Sequence, residues 1–536
     1  MEEAIEEIKN STEKKEIENI EKRKSKLKNF FFGWIKDNYD KIFLGILVLA
    51  FIIRIWIFFR TLNQPIWWDG ADYMATAKRL GLNLKILDIW YYRRGFLFPL
   101  IGALFFKLGL GEIGMRFLII LLSTGIVAVS YFLIKEMFNK KIALFVSLGV
   151  ALSWIMLFFS GRILTDLPAA FLILLSLLFF WKGYVLKQGN KFLYLFGLFF
   201  GLTILTRMQM FMFAPAFLVI ILLKEKFKFL KNKHLWITLG IILLILSPQI
   251  VLYSQHFGNP ITDIMSYYLG INIGSTATNE IHEITTYKMF DYIKDLPYIM
   301  NSPIFYLFII GLLFFIFDLI IGIDKIFSNE EIQKKFFMLV WIIISFLFLG
   351  YITDYVEHRY ILACMPFLFL ITIYPLSFIE KLLSKKTKIS KKSASIILLL
   401  VFIGLMIPNF IFGNNLIDQK KDSYIEVKQS GEWIKENSNP SDIIISASLP
   451  QTTYYSERST YPFDLSYRRD IKGGNESDFD NFIQEQKPRY IIISRFEQNA
   501  DWVYAYPQKH NDTLTPVKIY SQSNQPILII YKFNYN

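Results

Sequence analysis

The sequence has a single cysteine and few charged residues for its length. Cys364 is the one cysteine among 536 residues, so neither a disulfide within the chain nor a cysteine-based metal site can form. Charged residues make up 19% of the chain, whereas hydrophobic residues make up 54% and Phe alone supplies 52 positions. The mean hydropathy is +0.37. This composition excludes an ordinary water-soluble protein and predicts a polytopic membrane protein.

We expect no cleaved signal peptide, and the sequence shows no internal repeat. The first ~40 residues are rich in Lys and Glu, with no small-residue cleavage site before the first apolar run. We therefore expect residues 1–40 to form a charged cytoplasmic segment. The net charge of +13 does not indicate a nucleic-acid partner, because the lysines are concentrated between apolar runs.

The apolar runs predict a bundle of about eleven transmembrane helices within residues 41–412. They lie near residues 41–59, 112–134, 142–159, 164–181, 192–206, 208–223, 235–253, 303–322, 336–352, 360–378 and 394–412. Lysine-rich loops alternate with lysine-poor loops, as the positive-inside rule requires of a multi-pass cell-membrane protein with a cytoplasmic N-terminus. The loop 60–111, the loop 254–302 and the region after residue 412 are then extracytoplasmic. The short apolar segment 96–110 is expected to be re-entrant or interfacial.

The region 413–536 has the pattern of a water-soluble α/β domain. Residues 423–436 predict an amphipathic helix, and residues 442–446, 489–494 and 526–531 predict buried strands. A domain of about 120 residues can bury a core of its own. Two Asn-x-Ser/Thr triplets, at Asn475 and Asn511, fit an extracytoplasmic location.

Three aspartates lie where apolar runs meet the predicted extracytoplasmic side. Asp69 and Asp72 follow the first span, and Asp166 lies between the third and fourth. One interpretation is structural: if a helix begins at Gly70, Asp69 is its N-cap and Asp72 its N3 residue, and Asp166 is a favourable charge at a helix N-terminus. The other is functional. If the bundle brings Asp69 and Asp166 together, they could hold a divalent cation, or one of them could act as a base.

Arginines are concentrated on the same side, where the positive-inside rule disfavours them. The set comprises Arg93, Arg94, Arg116, Arg162, Arg207 and Arg359. Pairing with the aspartates and with Glu357 is one explanation. Binding an anionic lipid headgroup is the other, because a guanidinium group holds phosphate with two parallel hydrogen bonds.

These motifs, taken in order, resemble the GT-C membrane glycosyltransferases, in particular the family 39 branch of protein O-mannosyltransferases and lipid A aminoarabinose transferases. The resembling segments are residues 68–73 with Ala77, 94–100, 112–116, 160–168, 205–207 and 358–362 with Pro366. Two positions depart from the family pattern. Gly70 stands where a second adjacent acid is common, so Asp72 would have to replace that acid, and Phe96 stands where proline is expected.

The resemblance implies a GT-C fold and an inverting transfer of a sugar from a polyprenyl- or dolichyl-phosphate donor to a protein, lipid or glycan acceptor. Asp69 is then the base, with Asp72 and Asp166 as further catalytic residues. The residues implied in donor-phosphate binding are Arg93, Arg94, Arg162, Arg207, His358 and Arg359. The implied cofactor, if there is one, is Mg²⁺ or Mn²⁺ held by Asp69 and Asp166.

Two other functions fit parts of the sequence. Oligosaccharyltransferases carry a Trp-Trp-Asp motif similar to residues 67–69, but in their C-terminal domain rather than in the first loop. A lipid-linked sugar flippase or other transporter would place charges near the middle of the membrane, often in two related halves. Here the charges lie at one face, and Arg54 is the main exception.

Overall fold

The computed structural model describes residues 33–262, 289–352, 356–386, 390–465 and 475–535. Most of the predicted segment 1–40 and the middle of the predicted loop 254–302 lie outside these ranges.

The described chain is mainly helical. Its α-helices are α1 (Asn38–Thr61), α2 (Trp68–Leu82), α3 (Leu97–Lys107), α4 (Gly111–Met137), α5 (Lys140–Leu152), α6 (Trp154–Ser160), α7 (Asp166–Phe180), α8 (Asn190–Thr206), α9 (Ala214–Glu225), α10 (Lys233–Phe257), α11 (Met289–Lys294), α12 (Leu296–Met300), α13 (Ser302–Gly322), α14 (Glu330–Ile352), α15 (Met365–Lys386), α16 (Lys391–Lys420), α17 (Ile425–Asn437), α18 (Leu449–Ser456), α19 (Glu476–Gln486) and α20 (Asp501–Lys509). A π-helix covers Trp181–Val185, and 3-10 helices cover Met208–Phe213, Lys226–Lys231, Ile323–Lys325 and His358–Cys364. The strands are β1 (Ile443–Ser446), β2 (Ser459–Tyr461), β3 (Tyr490–Ser494), β4 (Leu514–Gln522) and β5 (Gln525–Phe533).

The predicted polytopic helical fold is confirmed, with differences in the individual spans. Within the described ranges, eight helices are long and apolar enough to cross a membrane. The predicted span 142–159 is broken at Ser153, where α5 and α6 meet at 52°, and it makes a ninth span if the pair is counted as one. The predicted span 192–206 corresponds to α8, with 17 residues. The predicted span 208–223 corresponds to a shorter helix, α9 with 12 residues, because a 3-10 segment replaces its start.

The burial of apolar side chains distinguishes inner from outer helices. Helices α5 and α7 bury most of their residues in the main core. By contrast, α10 and α13 expose large apolar side chains, such as Leu244 at 73% and Leu313 at 66%. Apolar side chains exposed along whole helices are suited to lipid rather than water.

Arg54, in the first span, is fully buried and donates to the Ser123 hydroxyl at 2.8 Å and to the Ala50 and Ala151 carbonyls.

The segment 60–111, predicted as the first extracytoplasmic loop, contains the helix pair α2 and α3. The two helices pack closely because small residues face each other, with Gly102 against Ala77 and Gly81 against the backbone of Ala103. The apolar segment predicted to be re-entrant or interfacial is therefore α3, a helix of 11 residues that lies on α2.

The C-terminal domain is a five-stranded sheet in the order β2-β1-β3-β5-β4 with helices on both faces. β1 pairs in parallel with β2 and β3, and β5 pairs antiparallel with β3 and β4. Neighbouring residues of β1 point to opposite faces, so that Ile444 packs with α17 while Ile445 packs with α19 and α20. The preceding helix α16 continues to Lys420, so the predicted domain boundary at residue 413 falls inside that helix.

This domain is docked on the segment 60–111 through α18, all of whose residues are buried. Lys78 of α2 forms an ion pair with Glu457 at 2.7 Å, and the Leu87 amide donates to the Ser459 hydroxyl at 3.0 Å. The domain therefore contacts the same helix that carries Asp69 and Asp72.

Candidate active site

Five separate segments deliver charged side chains to one end of the helical bundle. Asp69 and Asp72 lie in the first turns of α2, and Arg94 lies in the loop before α3. Asp166 is the first residue of α7, Arg207 directly follows α8, and Arg359 lies in the 3-10 helix His358–Cys364. We call these six residues the acidic site.

Asp69 is held between two guanidinium groups. Arg94 Nη2 lies 3.0 Å from Asp69 Oδ1, and Arg359 Nη2 lies 2.7 Å from Asp69 Oδ2. The other nitrogen of Arg94, Nη1, lies 2.8 Å from Asp72 Oδ2. A third of the Asp69 side chain remains exposed, compared with 10% for Asp72. Asp69 is therefore the more accessible of the two carboxylates.

Arg359 connects Asp69 to Asp166. Its Nη1 lies 3.9 Å from Asp166 Oδ2, and its Nε lies 3.3 Å from Glu357 Oε2. On the other side of Asp166, Arg207 Nη1 lies 2.9 Å from Oδ1. The structure thus brings together the two acidic loops that are separated in the sequence, with one arginine between their carboxylates.

The structural interpretation of Asp69 as a helix N-cap is wrong. α2 begins at Trp68, and Trp67 is the N-cap residue, because the Ala71 amide donates the first intrahelical hydrogen bond to the Trp67 carbonyl at 2.7 Å. The helix start has no side-chain cap. Asp69 lies within the first turn and its carboxylate points to the arginines. Asp166 does begin its helix, so for this residue the favourable interaction with the helix dipole is retained.

Two glycines allow backbones to approach each other at the site. A Cβ at Gly70 would lie 2.4 Å from the Ile163 carbonyl oxygen, and one at Gly95 would lie 2.2 Å from the Leu205 carbonyl oxygen. The first contact joins the two acidic segments, and the second joins the segments that carry Arg94 and Arg207. The departure from the family pattern at residue 70 thus has a steric reason, since a second acid next to Asp69 would collide with the 163 backbone.

The surroundings push the pKa values of the carboxylic acids in opposite directions. Burial would raise the pKa of Asp69, but the charges of Arg94 and Arg359 outweigh burial and lower it. Burial raises the pKa of Asp72 to about 6, because Arg94 offsets only part of the cost of burying the charge. Burial also raises the pKa of Glu357. Asp69 is therefore ionised at neutral pH, while Asp72 titrates close to it.

Three of the residues predicted to bind phosphate lie in other surroundings. Arg93 contacts the Tyr91 hydroxyl at 3.0 Å and the ring of Phe257 at 4.3 Å. His358 is paired with Asp295 at 2.8 Å. Arg162 lies behind α2, with its guanidinium 3.4 Å from the ring centroid of Trp67. Their predicted role remains a prediction.

Several side chains of the site were not singled out as catalytic or binding residues. The ring of Tyr360 lies 4.5 Å from the guanidinium of Arg207, and the ring of Tyr73 lies 5.4 Å from that of Arg94. Thr165 contacts both Arg207, at 3.3 Å, and the Tyr73 hydroxyl, at 3.5 Å. In the sequence, Tyr73 directly follows Asp72 and Tyr360 directly follows Arg359. This proximity to charged residues of the motifs was the sequence signal that could have identified both tyrosines as residues of the site.

The predicted metal site finds weak support in this geometry. Within the residue ranges given above, no three or more His, Cys, Asp or Glu side chains are grouped so that they could hold a metal ion. Arg359 also lies between Asp69 and Asp166, so a cation bound by both would have to displace it. Metal binding by these two residues stays a prediction.

Comparisons with known proteins agree with this architecture. The sequence model of the family described as dolichyl-phosphate-mannose-protein mannosyltransferase matches residues 93–252. ArnT from Cupriavidus metallidurans has TM-scores of 0.61 in the apo state and 0.60 bound to undecaprenyl phosphate, at 13% identity over 91% of this chain and 98% of ArnT. The Archaeoglobus fulgidus oligosaccharyltransferase tethered to an acceptor peptide has a TM-score of 0.58, at 14% identity over 86% of this chain and 70% of that chain. No curated protein sequence matches the chain.

The chain has the GT-C membrane fold of these structures. The segment matched by the family model contains Arg94, Asp166 and Arg207. Asp69 and Asp72 precede the segment, and Arg359 follows it. The acidic site is therefore assembled partly from the matched segment and partly from residues on either side of it.

Proposed function

We propose that this protein transfers a sugar from a polyprenyl- or dolichyl-phosphate donor to a protein, lipid or glycan acceptor, with inversion at the anomeric carbon. The observation that carries the proposal is the partly exposed carboxylate of Asp69 between Arg94 and Arg359. A base beside two guanidinium groups suits a reaction that removes a proton from an acceptor and releases a phosphate. ArnT in complex with undecaprenyl phosphate and the oligosaccharyltransferase AglB in complex with dolichol-phosphate and an inhibitory peptide, which share the fold, support a lipid-phosphate donor.

In the proposed reaction, Asp69 takes the proton of the acceptor hydroxyl or amine. The acceptor atom forms a bond to the anomeric carbon from the face opposite the phosphate. The bond between this carbon and the phosphate oxygen breaks, and the electron pair leaves with the lipid phosphate. Arg94, Arg207 and Arg359 stabilise the negative charge that develops on the phosphate.

The two arginines that hold Asp69 also restrain it as a base. They lower its pKa, so the carboxylate binds a proton weakly while both ion pairs are intact. An arriving phosphate would compete for the same guanidinium nitrogens, since these form the charge-assisted hydrogen bonds that a phosphate requires. Binding of the donor would thereby raise the basicity of Asp69 at the time when the acceptor proton must be removed.

The proposal places the acidic site at the extracytoplasmic face. The alternation of lysine-rich loops supports a cytoplasmic N-terminus and an extracytoplasmic C-terminal domain. The docking of that domain on α2 is consistent with both lying on the same side of the membrane.

The experiment that tests the function measures transfer from a panel of radiolabelled polyprenyl-phosphate sugars by the purified protein in lipid. Asp69→Asn is compared with Asp88→Asn, a matched control in the same loop whose side chain is 34% exposed and paired with Arg79. We expect Asp69→Asn to lower kcat by about 10³-fold and Asp88→Asn to leave it nearly unchanged, since general-base catalysis contributes about 10²–10⁴-fold.

Other outcomes of this experiment would redirect the proposal. Full activity in a folded Asp69→Asn protein would exclude Asp69 as the base. Movement of lipid-linked sugar across the bilayer, with no transfer from any donor, would favour a transporter. Loss of transfer with EDTA and recovery with Mg²⁺ or Mn²⁺ would support the predicted metal.

A further inference from the structure

Arg116, at the start of α4, is buried and fully engaged by partners within the protein. Its side chain is 5% exposed. Nε and Nη2 donate to Glu112 Oε1 at 2.8 and 2.6 Å, Nη1 donates to the Gly161 carbonyl at 3.4 Å, and Nη2 also donates to the Gln64 carbonyl. Among the arginines predicted on the extracytoplasmic side, Arg116 is thus poorly placed to receive a phosphate.

The two carbonyl groups that Arg116 binds belong to the segments leading into the acidic site. Gln64 lies five residues before Asp69, and Gly161 lies five residues before Asp166. A single guanidinium group therefore ties the approach to α2 to the approach to α7. The close contact between Gly70 and the Ile163 carbonyl lies just beyond this link.

The C-terminal domain completes the network through two consecutive tyrosines of α18. The Tyr454 hydroxyl donates to Glu112 Oε2 at 2.8 Å, and the Tyr455 hydroxyl accepts from the Ile66 amide at 2.8 Å. Burial raises the pKa values of both tyrosines, so both hydroxyls stay protonated at neutral pH. We call Arg116, Glu112, Tyr454 and Tyr455 the positioning network.

We propose that the positioning network makes the docked C-terminal domain a requirement for catalysis, because it sets the spacing of Asp69 and Asp166. This inference rests on the proposed function. Tyr454 and Tyr455 are positioning residues: they act on Glu112 and on the backbone before α2, and through these on the carboxylates. Catalysis is sensitive to such shifts, since a displacement of about 1 Å can cost about 10²-fold in rate.

The test compares Tyr454→Phe and Tyr455→Phe with a matched control, Tyr506→Phe. Tyr506 lies in the same domain, is buried, and donates to Asp480 at 2.7 Å, so its replacement also removes one phenol–carboxylate hydrogen bond. Two measurements are made on full-length protein in lipid. One is kcat and KM for the donor, and the other is hydrogen–deuterium exchange of amides 64–72 and 160–168.

We expect Tyr454→Phe and Tyr455→Phe to lower kcat by about tenfold each, with the donor KM changed less than threefold. Exchange should become faster in both amide segments for Tyr454→Phe, and at Ile66 above all for Tyr455→Phe. Tyr506→Phe should change neither kcat nor exchange in these segments.

A further variant tests the arginine of the network. Arg116→Lys keeps the charge but cannot bind two carbonyls and a carboxylate in one plane, and should lower kcat by about 10²-fold.

Results of three kinds would overturn the inference. Unchanged exchange in segments 64–72 and 160–168 in Tyr454→Phe would show that the tyrosine does not order them. A raised donor KM with unchanged kcat in Arg116→Lys would assign Arg116 to donor binding instead. An equal loss of kcat in Tyr506→Phe would reduce the effect to general destabilisation of the domain. Absence of transfer in the wild type would refute the proposed function, whereas the exchange measurement, which does not depend on activity, would still show whether the network orders the two acidic segments.

Discussion

Arginines occur in two different settings on either side of α2. In the acidic site, Arg94 and Arg359 pair with side-chain carboxylates, and Asp69 keeps a third of its side chain exposed. Behind α2, Arg116 and Arg162 are 5% and 6% exposed: Arg116 binds the Gly161 carbonyl and the Glu112 carboxylate, and Arg162 lies on the ring of Trp67. Ion pairs between partly exposed side chains can be exchanged for a ligand, whereas buried contacts to backbone and rings cannot be exchanged without opening the fold. We therefore propose that the same residue type serves donor binding in one setting and architecture in the other.

The largest expected effect separates these two settings. Arg359→Gln removes an arginine that contacts both Asp69 and Asp166, and should lower kcat/KM for the donor by about 10²–10³-fold. Arg162→Gln, behind α2, should change kcat/KM less than about fivefold but lower the thermal midpoint by several degrees, because a guanidinium stacked on Trp67 and Phe158 is lost.

Steady-state kinetics and a thermal unfolding assay on the same preparations check both variants. If Arg162→Gln lost as much activity as Arg359→Gln while keeping its thermal midpoint, the distinction between the two settings would be wrong. Arg162 would then belong with the donor-binding residues, as its position in the sequence suggested.

An intermediate effect concerns pH. The pKa of Asp72 is raised from 3.8 to about 6 in the folded protein, so the folded state binds this proton more tightly than the unfolded state. The associated stability is present below pH ~4 and is lost as the pH rises through about 6. Between pH 4.5 and pH 7, the thermal midpoint of the wild type should fall by a few degrees more than that of Asp72→Asn, which cannot titrate at this position.

The measurement is thermal unfolding of both proteins across that pH range. Asp442→Asn is the control, because Asp442 pairs with Arg489 in the C-terminal domain, and this variant should keep the pH dependence of the wild type. Parallel curves for wild type and Asp72→Asn would show that Asp72 does not titrate in this window.

The smallest expected effect lies at the domain interface, away from both settings. Ser459→Ala removes the hydroxyl that accepts a hydrogen bond from the Leu87 amide at 3.0 Å. A neutral hydrogen bond contributes about 1 kcal/mol, so the thermal midpoint should fall by a few degrees or less while kcat stays within twofold. A loss of kcat like that expected for Tyr454→Phe would show that docking in general, rather than the positioning network, controls the site.

The fold was largely predictable from the sequence because its signals are local. Apolar runs gave the helices, and runs of isoleucine bounded by polar residues gave β1, β3 and β5. The strands β2 and β4 were missed, since β2 has three residues and the side chains of β4 are mostly exposed. The break at Ser153 and the shortness of α9 were also missed, because tertiary packing rather than hydropathy determines where a helix bends or ends.

The site was predictable in its residue types but not in its pairings. The sequence shows that acids and arginines collect on one side, yet it cannot show that Arg359 joins Asp69 to Asp166 or that Arg162 faces away from them. Such pairings depend on contacts between segments hundreds of residues apart. The tyrosines of α18 illustrate the same limit. From the sequence, Tyr454 and Tyr455 are indistinguishable from ordinary core residues, because the hydrogen-bond partners of their hydroxyls are known only from the structure.

The backbone contact at Gly95 restricts how this site can change. Because Gly95 lies directly against the end of α8, the separation between Arg94 and Arg207 is set by two main chains in contact and cannot be tuned by the choice of side chains nearby. A site adapted to a bulkier headgroup, such as a diphosphate, would need the loop and the helix to move apart. Substitutions at the arginines would alter the strength of binding, but the size of the group that fits between them is determined by the backbone.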